Sequence, residues 1–394
     1  MRFLNILALS LISLNVTANE WSGNISIESR HFFKSGDSAT QLSQYSSAAL
    51  QAEWFHDWNN GKSSVTFTPF TRFDKEDEQR THSDIRELNW MNVFDNAELS
   101  VGIKTVFWGV SESQHLVDVI NQTDLVEGMD GEDKLGQPML HYSMIKDWGI
   151  TELFVLPYFR ERTFSGLDGR LRTALIIDTN NPVYESSDKE KHIDYAVRWS
   201  NNIYDWDVGL SYFDGTNRDP SFKEGIDNNG NTVLRPVYNQ MQQLGTDIQV
   251  TKEAWLWKLE AILRKQTSDT YLATTAGFEY SFYGVFESSS DLGIVFEYLY
   301  DDRNKQATTP FQNDFMLGLR WAKNDEQDTT VLIGVIADRE SQERLYSIEG
   351  SRRMGESMKL TIEARMFDGL TNSNSLLYSF RNDSFIQMEL AYYF

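Results

Sequence analysis

The side chains able to do chemistry are concentrated between Trp108 and Met139, where Asp118, Asn121, Asp124, Glu127, Asp130, Glu132 and Asp133 gather in one polar stretch. A dense group of carboxylates can steer cations, hold a metal ion or set up a local field. Calcium is the first cation to test, but neither this stretch nor Asp227-Asn228-Asn229-Gly230-Asn231 carries ligands at the critical positions of a calcium loop. The histidines, His31, His56, His82, His115, His141 and His192, are scattered without metal spacing, so no metal or other cofactor is expected. Ser113, His115 and Asp118 could be imagined as nucleophile, base and orienting acid. Three common polar residues within six positions of a polar segment are a weak catalytic signal, and there is no Gly-x-Ser-x-Gly elbow or phosphate loop. No enzymatic activity is expected.

These residues must be positioned by something, and the rest of the chain is written with a period of two. Leu360, Ile362, Ala364 and Met366 alternate with Lys359, Thr361, Glu363 and Arg365; Ile386, Met388, Leu390, Tyr392 and Phe394 alternate with Gln387, Glu389, Ala391 and Tyr393. The same alternation runs through Ile193–Trp199, Trp206–Tyr212, Leu244–Val250, Trp255–Leu263, Ala276–Phe282 and Phe315–Trp321. One face of each strand suits hydrocarbon and the other suits water. Mean hydropathy is only −0.46 with 13% aromatic residues, as expected when a wall hides its apolar side chains by alternation. No apolar run after Ala18 approaches the ~18 residues of a spanning helix.

Short polar turns alternate with longer polar segments. The short set is Asn59-Asn60-Gly61, Asp95-Asn96, Asp147-Trp148-Gly149, Asn201-Asn202, Lys252-Glu253-Ala254, Ser288 to Ser290, Asn324 to Glu326 and Gly355-Glu356. The longer set lies near 34–43, 74–82, 108–139, 163–190, 215–236, 266–270, 302–311, 338–343 and 369–380. Counting strands between them predicts an all-β fold, a transmembrane antiparallel up-and-down β-barrel of about 18 strands, with 16 the nearest rival. Most tryptophans fall near the short turns, which suits a girdle at the membrane interface.

Met1 to Ala18 reads as an export leader: Arg2, an apolar run from Phe3 to Leu14, then the small-residue site Val16-Thr17-Ala18. The expected division is therefore a cleaved leader at 1–18 and a single barrel at 19–394. That places the chain in the bacterial outer membrane, reached through the periplasm, with outer-membrane lipid as its surroundings. The sequence contains no cysteine and carries a net charge of −22, so disulfides do not hold it and nucleic acid is not a partner. Association of several barrels is compatible with such a wall.

The inward-facing polar set includes Lys104, Arg160, Arg162, Arg198, Lys258, Glu260, Arg264, Glu297, Arg320, Glu363 and Arg365 as candidate pore-lining residues. So many ionised groups imply a wet interior, since burying each in a dry one costs several kcal/mol. In the 108–139 segment, Leu116, Val119, Ile120 and Thr123 follow helical spacing, which predicts a short amphipathic helix folded into the barrel mouth as a constriction. Its acidic face, with Asp118, Asn121, Asp124, Glu127 and Asp130, is expected to look across at Arg160, Arg162, Arg170 and Arg172, setting a transverse field.

The Trp108-Gly109 start and the spacing of Asp118, Asn121 and Asp124 resemble a largely uncharacterised porin-like family, in which Trp-Gly is followed by Asp and Asn-Pro-x-Asp; Gln122 stands at the place of that proline. The C-terminal Phe394 resembles the last residue of outer-membrane barrels generally, which the barrel-assembly machinery reads. These resemblances imply transport across the outer membrane. The residues fit a channel or facilitator for small polar or cationic solutes. A transporter of hydrophobic molecules working with periplasmic or inner-membrane partners is the alternative, with Leu116, Val117, Val119, Ile120 and Ala174 to Ile177 along its path. A barrel anchoring an enzyme or a surface-binding function is the third reading.

Overall fold

The computed structural model describes residues 19–267 and 269–394. The leader predicted at 1–18 lies outside the described residues. Eighteen strands form one antiparallel sheet in chain order: Asn19–Phe32, Gln44–Trp58, Ser63–Asp74, His82–Phe94, Ala97–Lys104, Gln137–Lys146, Gly149–Leu156, Asp194–Ile203, Trp206–Thr216, Gln240–Lys252, Trp255–Gln266, Thr270–Phe282, Asp291–Asp301, Asn313–Ala322, Thr330–Asp338, Arg344–Met354, Met358–Asp368 and Phe385–Tyr393. The last strand pairs with the first, from Asn24↔Tyr393 to Phe32↔Phe385, and the sheet closes. Phe394 completes the seam by exchanging backbone hydrogen bonds with Gly23, 3.1 Å each way. Closure joins the first and last strands and so removes the two terminal edges of the sheet, which is what a sheet needs in order to sit in hydrocarbon.

The connections alternate as the sequence predicts, and the strand number of 18 is the one it favours. Asn59, Asn60 and Gly61 all take positive φ, the left-handed backbone that a tight hairpin demands and that asparagine and glycine tolerate best. One turn is displaced. Asn201 and Asn202 lie inside Asp194–Ile203, and the chain reverses at Tyr204-Asp205, because Ile203 pairs with Trp206. That register keeps Val197, Leu210 and Tyr212 on the outer face.

At the opposite rim most connections are longer, although Gln266 and Thr270 are joined by a tight turn. Residues 157–193 and 217–239 contribute a small three-stranded sheet of Val183–Tyr184, Ser221–Ile226 and Thr232–Tyr238 outside the wall. Residues 105–136, between Ala97–Lys104 and Gln137–Lys146, pass into the barrel. The predicted 108–139 segment is thus slightly shorter at its end, since Gln137 to Met139 already belong to a wall strand.

Candidate functional site: the barrel lumen and its inserted segment

Each wall strand sorts its side chains by face. Along Trp255–Gln266, Trp255, Trp257 and Leu263 are exposed on the outside while Glu260, Ile262 and Arg264 are buried inside. Along Asn313–Ala322, Phe315, Leu317 and Leu319 are exposed and Asp314 and Met316 are buried. At the short-turn rim, outward aromatics stack: Trp54 on His56, His56 on Trp58 and Trp255 on Trp257. A closed sheet with an apolar outer belt, an aromatic girdle and ionised groups within has hydrocarbon as its outer solvent. The chain is an outer-membrane β-barrel. Among the described residues no helix is long and apolar enough to cross a membrane; this barrel crosses with strands.

The inserted segment is not the amphipathic helix that its spacing predicts. Residues 105–136 contain bends and turns but no α-helix. Its apolar side chains nevertheless find the inner wall. Leu116, Val117, Val119 and Ile120 are buried with Trp108 against Phe154, Phe213, Met241, Ile262 and Tyr271. Wall carboxylates, in place of a helical ladder, take several of the segment's backbone donors. Glu260 accepts from the N–H groups of Val110 (2.7 Å), Ser111 (2.9 Å) and Val117 (3.3 Å). Glu297 accepts from those of Glu112 (2.7 Å) and Ser113 (2.9 Å), and also from the Ser113 hydroxyl. Hydrogen bonds to ionised acceptors are the strong class, and five backbone donors fix the tip of the segment across the lumen. Glu260 and Glu297, expected to face the pore, are instead buried beneath the segment.

The acidic residues named from the sequence come together, but with partners other than those expected. Asp124 is fully buried. Its carboxylate holds the Arg86 guanidinium at 2.6 Å, His82 Nε2 at 3.1 Å and the Thr163 hydroxyl at 2.8 Å. Burial alone would raise its pKa, but the His82 bond and the Arg86 charge outweigh that and hold it down to about 2. Glu127 pairs with Arg72 at 2.7 Å and Asp130 with Arg365 at 3.2 Å. Asp118 is bound to Lys134 at 2.9 Å, within its own segment, and burial pushes its pKa up. Asn121 braces the base of the segment: its Oδ1 accepts from Val106 N at 2.9 Å and its Nδ2 donates to the carbonyls of Lys104 and Leu135.

The arginines expected opposite these acids are engaged elsewhere. Arg160 and Arg162 are not wall residues; both belong to the external connection 157–193. Arg160 binds Asp84 at 2.7 Å, Arg162 binds Asp219 at 2.7 Å, Arg170 binds Asp383 at 2.7 Å, and Arg172 donates to the carbonyls of Leu167, Thr173 and Ala174. The basic groups that meet Glu127, Asp124 and Asp130 are Arg72, Arg86 and Arg365, from the third, fourth and seventeenth strands of the wall. They belong to a larger buried network that the sequence reading missed, in which Arg80 reaches Glu28 at 2.8 Å and Asp74 at 3.0 Å. Strict alternation of Glu28 with Ile27, and of Arg72 and Asp74 with Phe73, was the available signal. Among the remaining predicted lining residues, Arg198 is clamped by Asp247 and lies under Trp108, and Arg264 is buried against Gln243 and Asp219. Lys104 stands half-buried at the base of the segment. Glu112 of the segment bridges Arg320 and Lys258, and Arg365 pairs with Glu363, Glu349 and Asp130.

Neither alternative arrangement of the segment forms. Ser113 is bound to Glu297 while His115 Nε2 binds Glu132 at 2.6 Å and Asp118 binds Lys134, so the three do not assemble into a catalytic set. His82, Asp124 and Glu127 lie close enough to share a metal ion, yet Arg86 and Arg72 already neutralise both carboxylates. Of the residues along the alternative apolar route, Leu116, Val117, Val119 and Ile120 pack against the wall, Leu116 and Val119 also line a cavity of about 240 Å3, and Ile177 joins the external sheet through Leu234.

No protein-family model matches the sequence, and no curated protein does. Among solved structures the barrel is similar to an engineered mutant of Rh. blastica porin, with 12% identity and a TM-score of 0.45 over 96% of this chain and 100% of that one. It is similar also to OmpT, an outer membrane protein of Vibrio cholerae in its trimer form, with 11% identity and a TM-score of 0.47 over the same shares. The functional reading of this outer-membrane barrel therefore rests on its own residues.

Proposed function

We propose that this barrel is a passive outer-membrane channel for small polar solutes, narrowed by residues 105–136 and favouring cations over anions. One observation carries the cation preference: the charges left facing lumenal water are mainly carboxylates. The side chains of Glu132 and Glu349 are 56% and 45% exposed, and that of Asp130 is 35% exposed. The guanidinium side chains near them are largely covered, Arg365 at 10% and Arg72 at 6%; Arg320, at 36%, is held by Glu112 and Glu279. Exposed carboxylates along a pore lower the barrier to cations and raise it to anions. The inserted segment supplies positioning and charge, and we assign no reaction to it.

On this reading the leader at 1–18 directs export, and the assembly machinery recognises the closing strand that ends in Phe394. Planar bilayers test the proposal. Purified protein is expected to give discrete ohmic steps, and a KCl gradient is expected to give a reversal potential of the sign that marks potassium preference. A silent bilayer, or a reversal potential favouring chloride, overturns it.

A further inference from the structure

One flank of the wall is interrupted at a single height. Between Ser63–Asp74 and His82–Phe94 the register slips at Thr68/Pro69: Thr68 faces Glu87 and Pro69 faces Ile85, leaving Arg86 as an extra residue. On the other side of Pro69, pairing with Gln44–Trp58 stops at Gln51↔Phe70 and resumes at Trp54↔Phe67. Proline has no N–H to give to a ladder, so its place in a wall strand marks a break. The bulge also turns Arg86 inward to Asp124 while Ile85 and Leu88 both stay exposed outside.

A second interruption adjoins the first. The strand Ala97–Lys104 reaches only as far as Ile103, opposite Leu88, before the chain leaves the wall to enter the lumen. Residues Ser83 to Glu87 therefore continue upward with no strand on that flank. A backbone edge in hydrocarbon is tolerated only where protein covers it or a cavity opens beside it. Here there is a cavity of about 610 Å3, within the range of ligand-sized sites. Its lining includes Leu50, Ala52, Ile85 and Pro138 together with Phe70 and Arg160. Leu50 and Ile85 belong to the lipid-facing belt, whereas Phe70 and Arg160 are buried or half-buried toward the interior. The cavity thus runs from the lipid-facing surface in to Phe70 and Arg160 at the gap in the wall, in the half nearer the long external connections.

Its inner end is polar. Arg160 makes its protein hydrogen bonds through Nη1 alone, to Asp84 Oδ1 at 2.7 Å and to the Gly136 carbonyl at 2.8 Å, and its side chain is 26% exposed. The remaining guanidinium donors suit a second carboxylate. The geometry points to a lateral port that takes a single-chain anionic amphiphile of the fatty-acid type, its carboxylate on Arg160 and its tail leading past Phe70 and Ala52 into the surrounding lipid. This is a route separate from the polar lumen, and it stands whether or not the lumen conducts.

The test uses the full barrel in phosphatidylcholine vesicles with a palmitate carrying a photoactivatable tail. Crosslinks are expected to cluster at 50–52, 69–71, 83–85 and 138, and to include the inward Phe70. Ala52→Trp, which fills the outer part of the cavity, should reduce this cluster by about an order of magnitude, corresponding to about 1.4 kcal/mol. Arg160→Gln should reduce palmitate labelling similarly while leaving a fatty alcohol of the same tail unaffected. Heat-modifiable gel mobility reports that each variant is folded, and in the unaltered protein excess unlabelled palmitate should suppress the cluster without changing labelling elsewhere on the belt. Labelling spread evenly around the belt, insensitivity to excess palmitate, or equal labelling of Phe70 by a photoactivatable phosphatidylcholine overturns the port in favour of ordinary annular lipid.

Discussion

Glu260 Oε1 accepts the backbone N–H of Val110 at 2.7 Å, across 150 positions of chain and from the far side of the lumen. With Glu297 two strands further round, this contact turns an external connection into an internal partition. The donors are main-chain groups, so the bond makes no demand on the side chains of Val110, Ser111 or Glu112. Of the docking contacts on Glu260 and Glu297, only the Ser113 hydroxyl on Glu297, and Gly109 with its positive φ beside Glu260, are written in the segment's residue types.

Removing both clamps is expected to free the tip and leave the barrel intact. Charge-assisted hydrogen bonds contribute about 1.5–3 kcal/mol each, so Glu260→Ala with Glu297→Ala should shift the segment strongly toward undocked states. Single-channel conductance should rise several-fold and become noisy, while heat-modifiable gel mobility stays that of a folded barrel. Unchanged conductance would mean that the segment does not limit flow.

Selectivity should follow the exposed carboxylates and not the buried ones. Glu349→Gln with Glu132→Gln is expected to lower the potassium-to-chloride permeability ratio by a factor of about 2 or more, read from reversal potentials. Asp124→Asn should act differently. It leaves Arg86 without its closest partner, so its expected signature is unstable current and loss of a few kcal/mol of local stability, with little change in the ratio.

The wall was legible because a period of two is a direct imprint of two solvents on one strand. Leu317 and Arg320, or Trp257 and Glu260, are assigned to their faces by chemistry alone. The interior was less legible for a specific reason: an inward charge can be solvated, paired or buried under a segment, and alternation does not distinguish these. Lys258 and Glu260 sit on the same face of one strand, yet the first reaches the Glu112 carboxylate of the segment and the second takes its backbone N–H groups. The pairing of Asp124 with Arg86 depends on a bulge beside Pro69, a long-range register event. Helical spacing at Leu116, Val119 and Ile120 was a true record of which residues are covered, but three turns of irregular chain cover them as well as a helix would.

A pH response is expected from the pair His115 and Glu132. Burial disfavours the charged imidazole, but the Glu132 hydrogen bond and charge outweigh it and raise the His115 pKa above its usual value. The same bond lowers that of Glu132. The contribution of His115 is therefore complete below its unfolded value of about 6.5 and is lost as pH rises through the raised folded value. That of Glu132 persists down to its depressed value. Current fluctuations should increase as pH rises above about 6.5 and through the raised value, and His115→Asn should remove that dependence.

Export predicts a processed chain. Protein extracted from the outer membrane should give an intact mass lacking residues 1–18, with Asn19 at its terminus. Ala18→Asp, which spoils the small residue before the cut, should delay processing in a pulse-chase.

The assignment of the outer face to lipid can be tested on a single strand. Leu317, 52% exposed, lies midway along Asn313–Ala322, while its neighbour Met316 is buried inside. If hydrocarbon surrounds the wall, Leu317→Arg must place a guanidinium near the middle of the apolar belt. The expected cost is about 2–4 kcal/mol, measured by reversible denaturant unfolding in lipid vesicles. If water surrounded the wall, the same substitution would replace an exposed leucine with a soluble side chain and cost about 0.5 kcal/mol or less. Phe394 supplies an internal comparison at the rim, because Phe394→Arg sits near the interface, where the depth-dependent penalty falls to about 0–1 kcal/mol. A large penalty at Leu317 with a small one at Phe394 is the pattern that a bilayer imposes. Equal, small effects at both would mean that the belt faces something other than lipid.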